Sequence, residues 1–251
     1  MRGTVLITGA TSGIGASLAQ EFANHDYRLV ITSRSEADLL ALKTSLDSEI
    51  ETVVADLSTP DGVQRLIDSQ QGQDIDILVN NAAQLLWGNF QEHDAQAIKD
   101  LLAVNIQAPT TLSEHFIKGM LHRGTGKILN VASVAGFKAV PAMGLYAASK
   151  AYVISLSESM SEQLRGTGVS VTVLCPGITD TASTAQLVSE LPNVLVSSPD
   201  DVAREAFDAL MAGEPVCIPG IANKTAVTLA QLQPRSVIRR IGGMVARLRF
   251  V

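Results

Sequence analysis

The 251-residue sequence has no apolar run long enough to span a membrane, which would take roughly 18 or more residues in succession. A strand-like pattern begins by about Thr4, so we expect no signal peptide and a cytoplasmic location. Only two cysteines are present, Cys175 and Cys217, and both lie in strand-like runs, which predicts buried thiols of a reduced protein. The four histidines show no metal-ligand spacing, so no metal site is expected: His25, His93, His115 and His122.

Acidic residues are absent after Glu214, although the whole chain carries a net charge of −6. Six basic residues occur from Lys224 onward: Lys224, Arg235, Arg239, Arg240, Arg247 and Arg249. The body of the chain is therefore acidic, which argues against nucleic acid as a partner. We divide the chain into a main domain at residues 1–223 and a basic helical extension at residues 224–251.

Strand-like apolar runs alternate with helical patterns, which predicts a doubly wound, Rossmann-type α/β fold, a parallel sheet of about seven strands with helices on both faces. The strand candidates are continuously apolar, which is typical of strands covered on both faces: Thr4–Thr8, Arg28–Thr32, Thr52–Ala55, Ile75–Asn80, Lys127–Val131, Ser170–Cys175 and Val216–Pro219. Capping residues followed by acidic residues mark three helix starts, at Ser35, Thr59 and Ser198. Long helical patterns cover Asp94–Met120 and Tyr146–Leu164, and the segment at about Ile178–Ser198 is irregular.

A glycine-rich segment follows the first predicted strand. Residues 8–15 read TGATSGIG, and a helical pattern with Leu18 and Phe22 on one side comes next. The N–H groups and dipole of a helix N-terminus form a cradle for a pyrophosphate, and glycine lets the backbone approach it closely. An ordinary tight turn is the alternative, but the position after an N-terminal strand favours a dinucleotide site.

Tyr146 and Lys150 lie four residues apart in a predicted helix, thirteen residues after Ser133. Residues at this spacing share one helix face. A lysine ammonium beside a phenol lowers the phenol pKa from about 10, so such a tyrosine can exchange a proton with a substrate oxygen near neutral pH. The same spacing also occurs in ordinary surface helices, and the other motifs of the chain favour the chemical interpretation.

These segments together resemble the classical short-chain dehydrogenase/reductase family over residues 4 to about 180. Residues Asn80 to Ala83 are similar to the family's Asn-Asn-Ala-Gly motif, and we expect a small local adjustment where Ala83 replaces the glycine. Four residues match its catalytic tetrad: Asn105, Ser133, Tyr146 and Lys150. The resemblance implies a cofactor site formed by Tyr146 and Lys150 together with Gly9, Thr11, Ser12, Gly13, Ile14, Gly15, Ser33, Arg34, Asp56, Leu57, Asn81, Ala82, Pro176, Gly177, Ile178 and Thr179.

The resemblance also implies a role for each member of the tetrad. Tyr146 is the general acid in reduction and the base in oxidation, while Lys150 lowers its pKa and bonds the nicotinamide ribose. Ser133 bonds the substrate oxygen, and Asn105, within a helix, holds a water that links Lys150 to solvent. The implied assembly is a closed homo-oligomer, either a dimer or a tetramer.

The residues after the second strand indicate which cofactor is used. The segment Val30 to Arg34 has no carboxylate where a partner of the ribose 2′-hydroxyl would lie, and it offers the Ser33 hydroxyl and the Arg34 guanidinium instead. Arg34 can bind a 2′-phosphate through charge-assisted hydrogen bonds, so NADP(H) is favoured over NAD(H). A solvated loop arginine is the alternative.

Mostly apolar segments form the predicted substrate pocket: Gln84–Trp87, Val134–Phe137, Val140, Met143 and residues 178–198. The sequence therefore predicts an NADP(H)-dependent oxidoreductase acting on the CH–OH group or carbonyl of a small lipophilic ketone or oxoacyl-type substrate. Two alternatives remain open, a non-catalytic nucleotide-binding regulator and a membrane-associated, lipid-modifying reductase.

The extension carries apolar residues at helical intervals, with arginines between them: Leu229, Leu232, Val237, Ile238, Ile241, Met244, Val245 and Leu248. Pro234 and Gly242–Gly243 divide the pattern into short helices. One interpretation is an extension packed on the domain or on a neighbouring subunit. The other is a basic amphipathic segment that contacts an anionic membrane.

Co-sedimentation with anionic liposomes at low salt separates these two interpretations. Each basic residue close to an anionic surface contributes about 1 kcal/mol, which would give weak, salt-sensitive attachment of the full chain. If the segment contacts membranes, deleting residues 234–251 should abolish the attachment. No attachment of the full chain, or attachment that survives the deletion, would leave only the packing role.

Overall fold

The computed structural model describes residues 2–181, 184 and 196–232. Seven parallel strands form one sheet in the order β3-β2-β1-β4-β5-β6-β7. Their bounds are β1 Thr4–Thr8, β2 Arg28–Ser33, β3 Ile50–Val54, β4 Ile77–Asn80, β5 Gly126–Val131, β6 Val169–Leu174 and β7 Val216–Cys217. The sheet grows outward from β1 to β3 and then from β4 to β7 on the other side of β1. The predicted doubly wound α/β fold is confirmed.

The helices of the described residues are α1 Gly13–Asn24, α2 Glu36–Ser45, α3 Pro60–Ser69, α4 Ala95–Leu102, α5 Ala108–Arg123, α6 Gly144–Gln163, α7 Pro199–Ala212 and α8 Ile221–Leu232. The three predicted capping residues are confirmed, because Ser35, Thr59 and Ser198 each accept a hydrogen bond from an N–H of the first helical turn. The long helical pattern that begins near Asp94 is interrupted by a π-helical turn at Ala103–Gln107.

Successive strand residues face two different hydrophobic cores. Ile7 and Leu129 belong to the core that the sheet forms with α1, α2 and α7, whereas Leu6 and Ile128 belong to the core on the side of α3, α5 and α6. Since both faces are covered, the strands are apolar at consecutive positions and not only at alternate ones. Burial of each such side chain contributes about 1.5–3 kcal/mol relative to exposure.

Strand β7 is shorter than predicted. It ends at Cys217, two residues before the predicted end at Pro219. Pro219 has no N–H to donate to a sheet, and Gly220 then turns the chain into α8 with a φ of +79°. The two cysteines are buried free thiols, as predicted.

Helix α8 crosses the predicted boundary between residues 223 and 224, so the division of the chain there stays a prediction. The rest of the basic extension, residues 233–251, and most of the irregular segment, residues 182–183 and 185–195, lie outside the described residues. Among the residues described, no helix has both the length and the apolar character needed to cross a bilayer. That part of the chain also contains no cluster of three or more His, Cys, Asp or Glu side chains that could hold a metal ion.

Candidate active site

The glycine-rich turn joins the end of β1 to the start of α1. Gly9 has a φ of +63°, a left-handed conformation that glycine adopts without strain. Ser12 is the N-cap of α1, but its side chain makes no capping hydrogen bond, and the first turn of the helix contains no acidic residue. The first N–H groups of α1, together with the positive end of the helix dipole, therefore suit an anionic group such as a pyrophosphate.

The Asn81 side chain holds this turn in place. Its Nδ2 donates hydrogen bonds to the carbonyl oxygens of Thr8 and Gly9, both at 2.9 Å. A Cβ at Gly15 would lie 2.2 Å from the Gly9 carbonyl oxygen and 2.4 Å from Asn81 Nδ2, so only glycine fits there. Gly15 and Asn81 are both predicted to bind the cofactor, and in the structure both also pack the turn itself. Both hydrogens of the Asn81 amide are already used within the turn.

Ala83 does not require a left-handed backbone. The non-glycine residues with positive φ in the described part of the chain are Asp26 and Ala142. Alanine is therefore not strained at position 83 by a positive φ, and the expected small adjustment of the backbone there stays a prediction. The neighbouring Ala82 donates its N–H to the Thr8 hydroxyl at 3.0 Å, which fastens this segment to the end of β1.

A cleft of about 540 Å³ lies along the carboxyl ends of the strands. Most of the predicted cofactor and catalytic residues line it: Gly9, Thr11, Ser12, Gly13, Ile14, Ser33, Arg34, Asp56, Leu57, Asn81, Ala82, Ser133, Tyr146, Lys150, Pro176, Gly177 and Thr179. Three predicted residues, Gly15, Asn105 and Ile178, are not part of its lining. Ile178 instead accepts a hydrogen bond from Ser197 N–H through its carbonyl oxygen, at 2.8 Å, which ties the segment after β6 to the start of α7.

Arg34 and Asp56 lie at one end of the cleft, after β2 and β3. Asp56 accepts hydrogen bonds from the N–H of Ser58 at 3.0 Å and from its hydroxyl at 2.8 Å. These bonds, the N–H foremost, hold the pKa of the Asp56 carboxyl below its usual value, and the nearby Arg34 guanidinium acts in the same direction. Arg34 is exposed and forms no salt bridge with any residue that the structure describes, so its guanidinium can receive an anion from the cleft.

Ser133 and Tyr146 come together on the opposite side of the cleft. Ser133 follows β5 and caps the 3₁₀ turn Val134–Phe137, with its Oγ accepting from Ala135 N–H at 3.1 Å. Burial raises the pKa of the Tyr146 phenol, and a hydrogen bond with the Ser133 side chain lowers it by less. The phenol therefore stays protonated at neutral pH, which is the form that can donate a proton.

Lys150 is buried beside this pair, with 2% of its surface exposed. Its Nζ donates to the Val131 carbonyl oxygen at 2.8 Å and lies 5.5 Å from the centroid of the Tyr146 ring. Burial lowers the pKa of Lys150 to about 8, while Cys175 acts in the opposite direction. The Tyr146 pKa is therefore raised and not lowered as expected, because burial of the phenol dominates. That Lys150 favours the phenolate stays a prediction.

Asn105 lies in the π-helical turn between α4 and α5. Its Oδ1 accepts from Gln84 N–H at 2.7 Å, and its Nδ2 donates to the Gln84 carbonyl oxygen at 2.9 Å and to Ser149 Oγ at 3.0 Å. Both amide hydrogens are therefore committed to protein atoms. The predicted role of holding a water cannot come from donation by this side chain. The side chain instead fixes the segment after β4 to helix α6, which carries Tyr146 and Lys150.

Three residues of the predicted substrate pocket also line the cleft: Gln84, Thr181 and Thr184. Thr181 packs directly on the glycine-rich turn, because a Cβ at Gly13 would lie 2.9 Å from its Cγ2. Other residues of the cleft wall were not predicted from the sequence: Thr32, Ser35, Asp38, Ala55, Ala83, Val104, Val131 and Ala132. Several of these lie at or just after the end of a strand, and that position is the sequence signal that could have revealed them.

The chain is similar in sequence to known oxidoreductases. The family model described as short chain dehydrogenase matches residues 3–192. Ketoacyl reductase HetN of Nostoc sp. is 32% identical over 216 residues, which cover 82% of this chain and 75% of that protein.

Two solved structures are similar over nearly the whole chain. A short-chain dehydrogenase from Sphingobium yanoikuyae in complex with NADPH is 32% identical, with a TM-score of 0.81 and coverage of 91% of this chain and 93% of that one. The bulky-bulky ketone specific alcohol dehydrogenase from Comamonas testosteroni is 29% identical, with a TM-score of 0.80 and coverage of 91% of each chain.

The buried lysine gives stability a distinctive pH dependence. The folded-state pKa of about 8 lies below the ordinary value of 10.5, so between these values the unfolded chain binds the extra proton and stability rises with pH. Lys150→Met removes this contribution. The stability of the wild type relative to the variant should therefore rise by up to roughly 1.4 kcal/mol per pH unit in that window.

Urea unfolding at several pH values between about 7 and 10.5 measures this difference. Lys99→Met is the matched control, because Lys99 is exposed on α4. A difference between wild type and Lys150→Met that does not change with pH would contradict the lowered pKa.

Proposed function

The chain belongs to the short-chain dehydrogenase family, and on that premise we infer that it transfers a hydride between NADP(H) and a lipophilic carbonyl compound or the matching alcohol. The coarse activity, NAD(P)-dependent oxidoreduction, is that of the family. The observation that carries the finer proposal is a single cleft that contains both the glycine-rich turn and the trio Ser133, Tyr146 and Lys150.

The cleft suits a dinucleotide along its length. The uncapped N-terminus of α1 would hold the pyrophosphate, Asp56 would contact the adenine end and Lys150 would bond the nicotinamide ribose. The Pro176–Gly177 segment would hold the nicotinamide carboxamide. When bound, the cofactor supplies the hydride in reduction and accepts it in oxidation.

The protein residues handle the proton. In reduction, the protonated Tyr146 phenol donates its proton to the substrate oxygen, and Ser133 donates a hydrogen bond to the same oxygen. Lys150 has a pKa of about 8, so it carries an ammonium at neutral pH. That positive charge stabilises the phenolate left behind and can return a proton to it. In oxidation the same steps run in reverse.

Cofactor choice rests on Arg34. It is exposed at the cleft, and its neighbours Ser33 and Ser35 hold the loop through two mutual hydrogen bonds, at 3.1 and 3.2 Å. A guanidinium on such a fixed loop favours the 2′-phosphate of NADP(H). The relative from Sphingobium yanoikuyae was solved with NADPH, which supports the same preference.

Substrate class rests on the apolar segments beside the catalytic tyrosine. Trp87 and Phe90 are 40% and 68% exposed, on the segment that leaves the cleft at Gln84. Gly88 N–H donates to the Ala142 carbonyl oxygen at 3.0 Å, which joins this segment to the loop that precedes α6. Exposed aromatic rings on the segment that continues from the cleft wall favour a bulky, lipophilic ketone or an oxoacyl-type substrate. The ketone-specific and ketoacyl-reducing relatives support this class. Assembly into a dimer or tetramer stays a prediction.

Tyr146→Phe tests the proton donor. The variant keeps the ring but has no transferable proton, so folding and cofactor binding should survive while turnover falls by about 10²–10⁴-fold. Tyr152→Phe is the matched control, because it also removes a phenol hydroxyl from the same helix. The Tyr152 hydroxyl lies outside the cleft, 3.1 Å from Thr110 Oγ1. Near-normal turnover of Tyr146→Phe in a ketone-reduction assay would overturn the proton-transfer role.

Arg34→Ala tests the cofactor preference. Loss of hydrogen bonds to a charged phosphate should weaken NADPH binding by roughly 1.5–3 kcal/mol and leave NADH binding nearly unchanged. Fluorescence titration of both cofactors measures the two affinities, with Arg65→Ala, an exposed arginine on α3, as the control. Equal effects of Arg34→Ala on both cofactors would show that Arg34 does not read the 2′-phosphate.

A further inference from the structure

Gly177, in the wall of the cleft, is in close contact with a residue of helix α8. A Cβ built on Gly177 would lie 2.5 Å from both Nδ2 and Oδ1 of Asn223 and 2.7 Å from its Cγ. Gly177 lines the cleft and Asn223 does not, so the asparagine amide contacts the glycine from outside the cleft. The two residues are 46 positions apart in the sequence.

The Asn223 amide is held in this position by its own surroundings. Its Nδ2 donates to the Pro219 carbonyl oxygen at 2.9 Å. The turn between Pro219 and Asn223 is also held, because Gly220 N–H donates to both carboxylate oxygens of Glu205 at 3.2 Å. The Glu205 carboxylate on α7 therefore fixes the start of α8, and with it the position of the Asn223 amide.

The Pro176–Gly177 segment is held from the other side as well. Val134 N–H donates to the Pro176 carbonyl oxygen at 3.0 Å, directly after Ser133. Helix α8 also packs against the 3₁₀ turn Val134–Phe137. The segment is thus enclosed between the turn that follows Ser133 and the amide of Asn223.

We propose that Asn223 is a positioning residue, which fixes the Pro176–Gly177 segment against the nicotinamide end of the cofactor. The proposal rests on the proposed function, since it assigns that segment to the nicotinamide. Asn223 touches neither cofactor nor substrate, and it acts through Gly177. Hydride transfer demands close alignment, and a misplacement of about 1 Å can cost about 10²-fold in rate. Helix α8, which continues into the basic extension, thereby contributes to the geometry of the proposed site.

Asn223→Ala removes the three atoms that lie nearest to Gly177. We expect kcat to fall by about 10-fold and the affinity for NADPH to weaken by a few fold. Binding of adenosine 2′,5′-bisphosphate, which has no nicotinamide, should stay unchanged. Thr225→Ala is the matched control, because Thr225 also bonds the carbonyl oxygen four residues earlier, at 2.9 Å, but its side chain is exposed. That variant should change neither affinity nor kcat.

Gly177→Ala places a methyl group where the Asn223 amide lies, so kcat should fall by about 10²-fold. Asn223→Ala vacates that space, so the double variant Gly177→Ala/Asn223→Ala should be about 10-fold more active than Gly177→Ala alone. Such a rescue is expected of direct contact and not of general destabilisation.

Four results would contradict the proposal. A wild type that binds neither NADPH nor the bisphosphate overturns the proposed function and this inference with it. If the wild type binds both, the inference alone is overturned by an Asn223→Ala variant that behaves like wild type. An Asn223→Ala variant that loses affinity for NADPH and for the bisphosphate equally also overturns it. So does a double variant in which the losses of kcat, expressed as free energies, equal the sum of those of the two single variants.

Discussion

Reciprocal hydrogen bonds between Thr8 and Asn81 fasten the end of β1 to the end of β4. The Asn81 amide donates to two carbonyl oxygens of the glycine-rich turn, and the Thr8 hydroxyl accepts from the N–H groups of Asn81 and Ala82. These two strands meet where the sheet order changes direction, and clefts of open α/β sheets form at that point. Gly15 packs closely against this junction, and Gly9 and Asn81 both line the cleft.

The proposed catalytic trio, Ser133, Tyr146 and Lys150, contains two buried titratable groups. Burial opposes the charged form of both side chains, so it raises the pKa of Tyr146 and lowers that of Lys150 to about 8. At neutral pH both groups then hold their protons, which is the state that the proposed proton transfer to a carbonyl oxygen requires. The Val131 carbonyl oxygen accepts a hydrogen bond from the Lys150 ammonium, which offsets part of the free-energy cost of burying that charge. The position of β5 relative to α6 therefore determines both the geometry and the protonation of the site.

The sequence could predict features that depend on a local pattern, and residues that the parallel sheet brings to one edge. The Ser35 cap is a local pattern, and the residues after each strand end reach one cleft because parallel strands share a carboxyl edge. The sequence could not identify hydrogen bonds between residues that are distant in the chain. The Asn81 amide donates to the glycine-rich turn, 72 residues earlier, and the Asn105 side chain bonds Gln84 and Ser149. The direction of the Tyr146 pKa also required the structure, since burial follows from tertiary packing and not from the spacing to Lys150.

Direct hydride transfer in this cleft is best measured with NADPH that carries deuterium at both C4 positions of the nicotinamide. A panel of bulky ketones and oxoacyl thioesters would be reduced in ordinary water, and the alcohol products analysed by mass spectrometry. A product alcohol with a single deuterium at its carbinol carbon is the expected result, because the hydride passes from the cofactor while the Tyr146 proton comes from solvent. An alcohol without deuterium, or no oxidation of NADPH by any member of the panel, would contradict it.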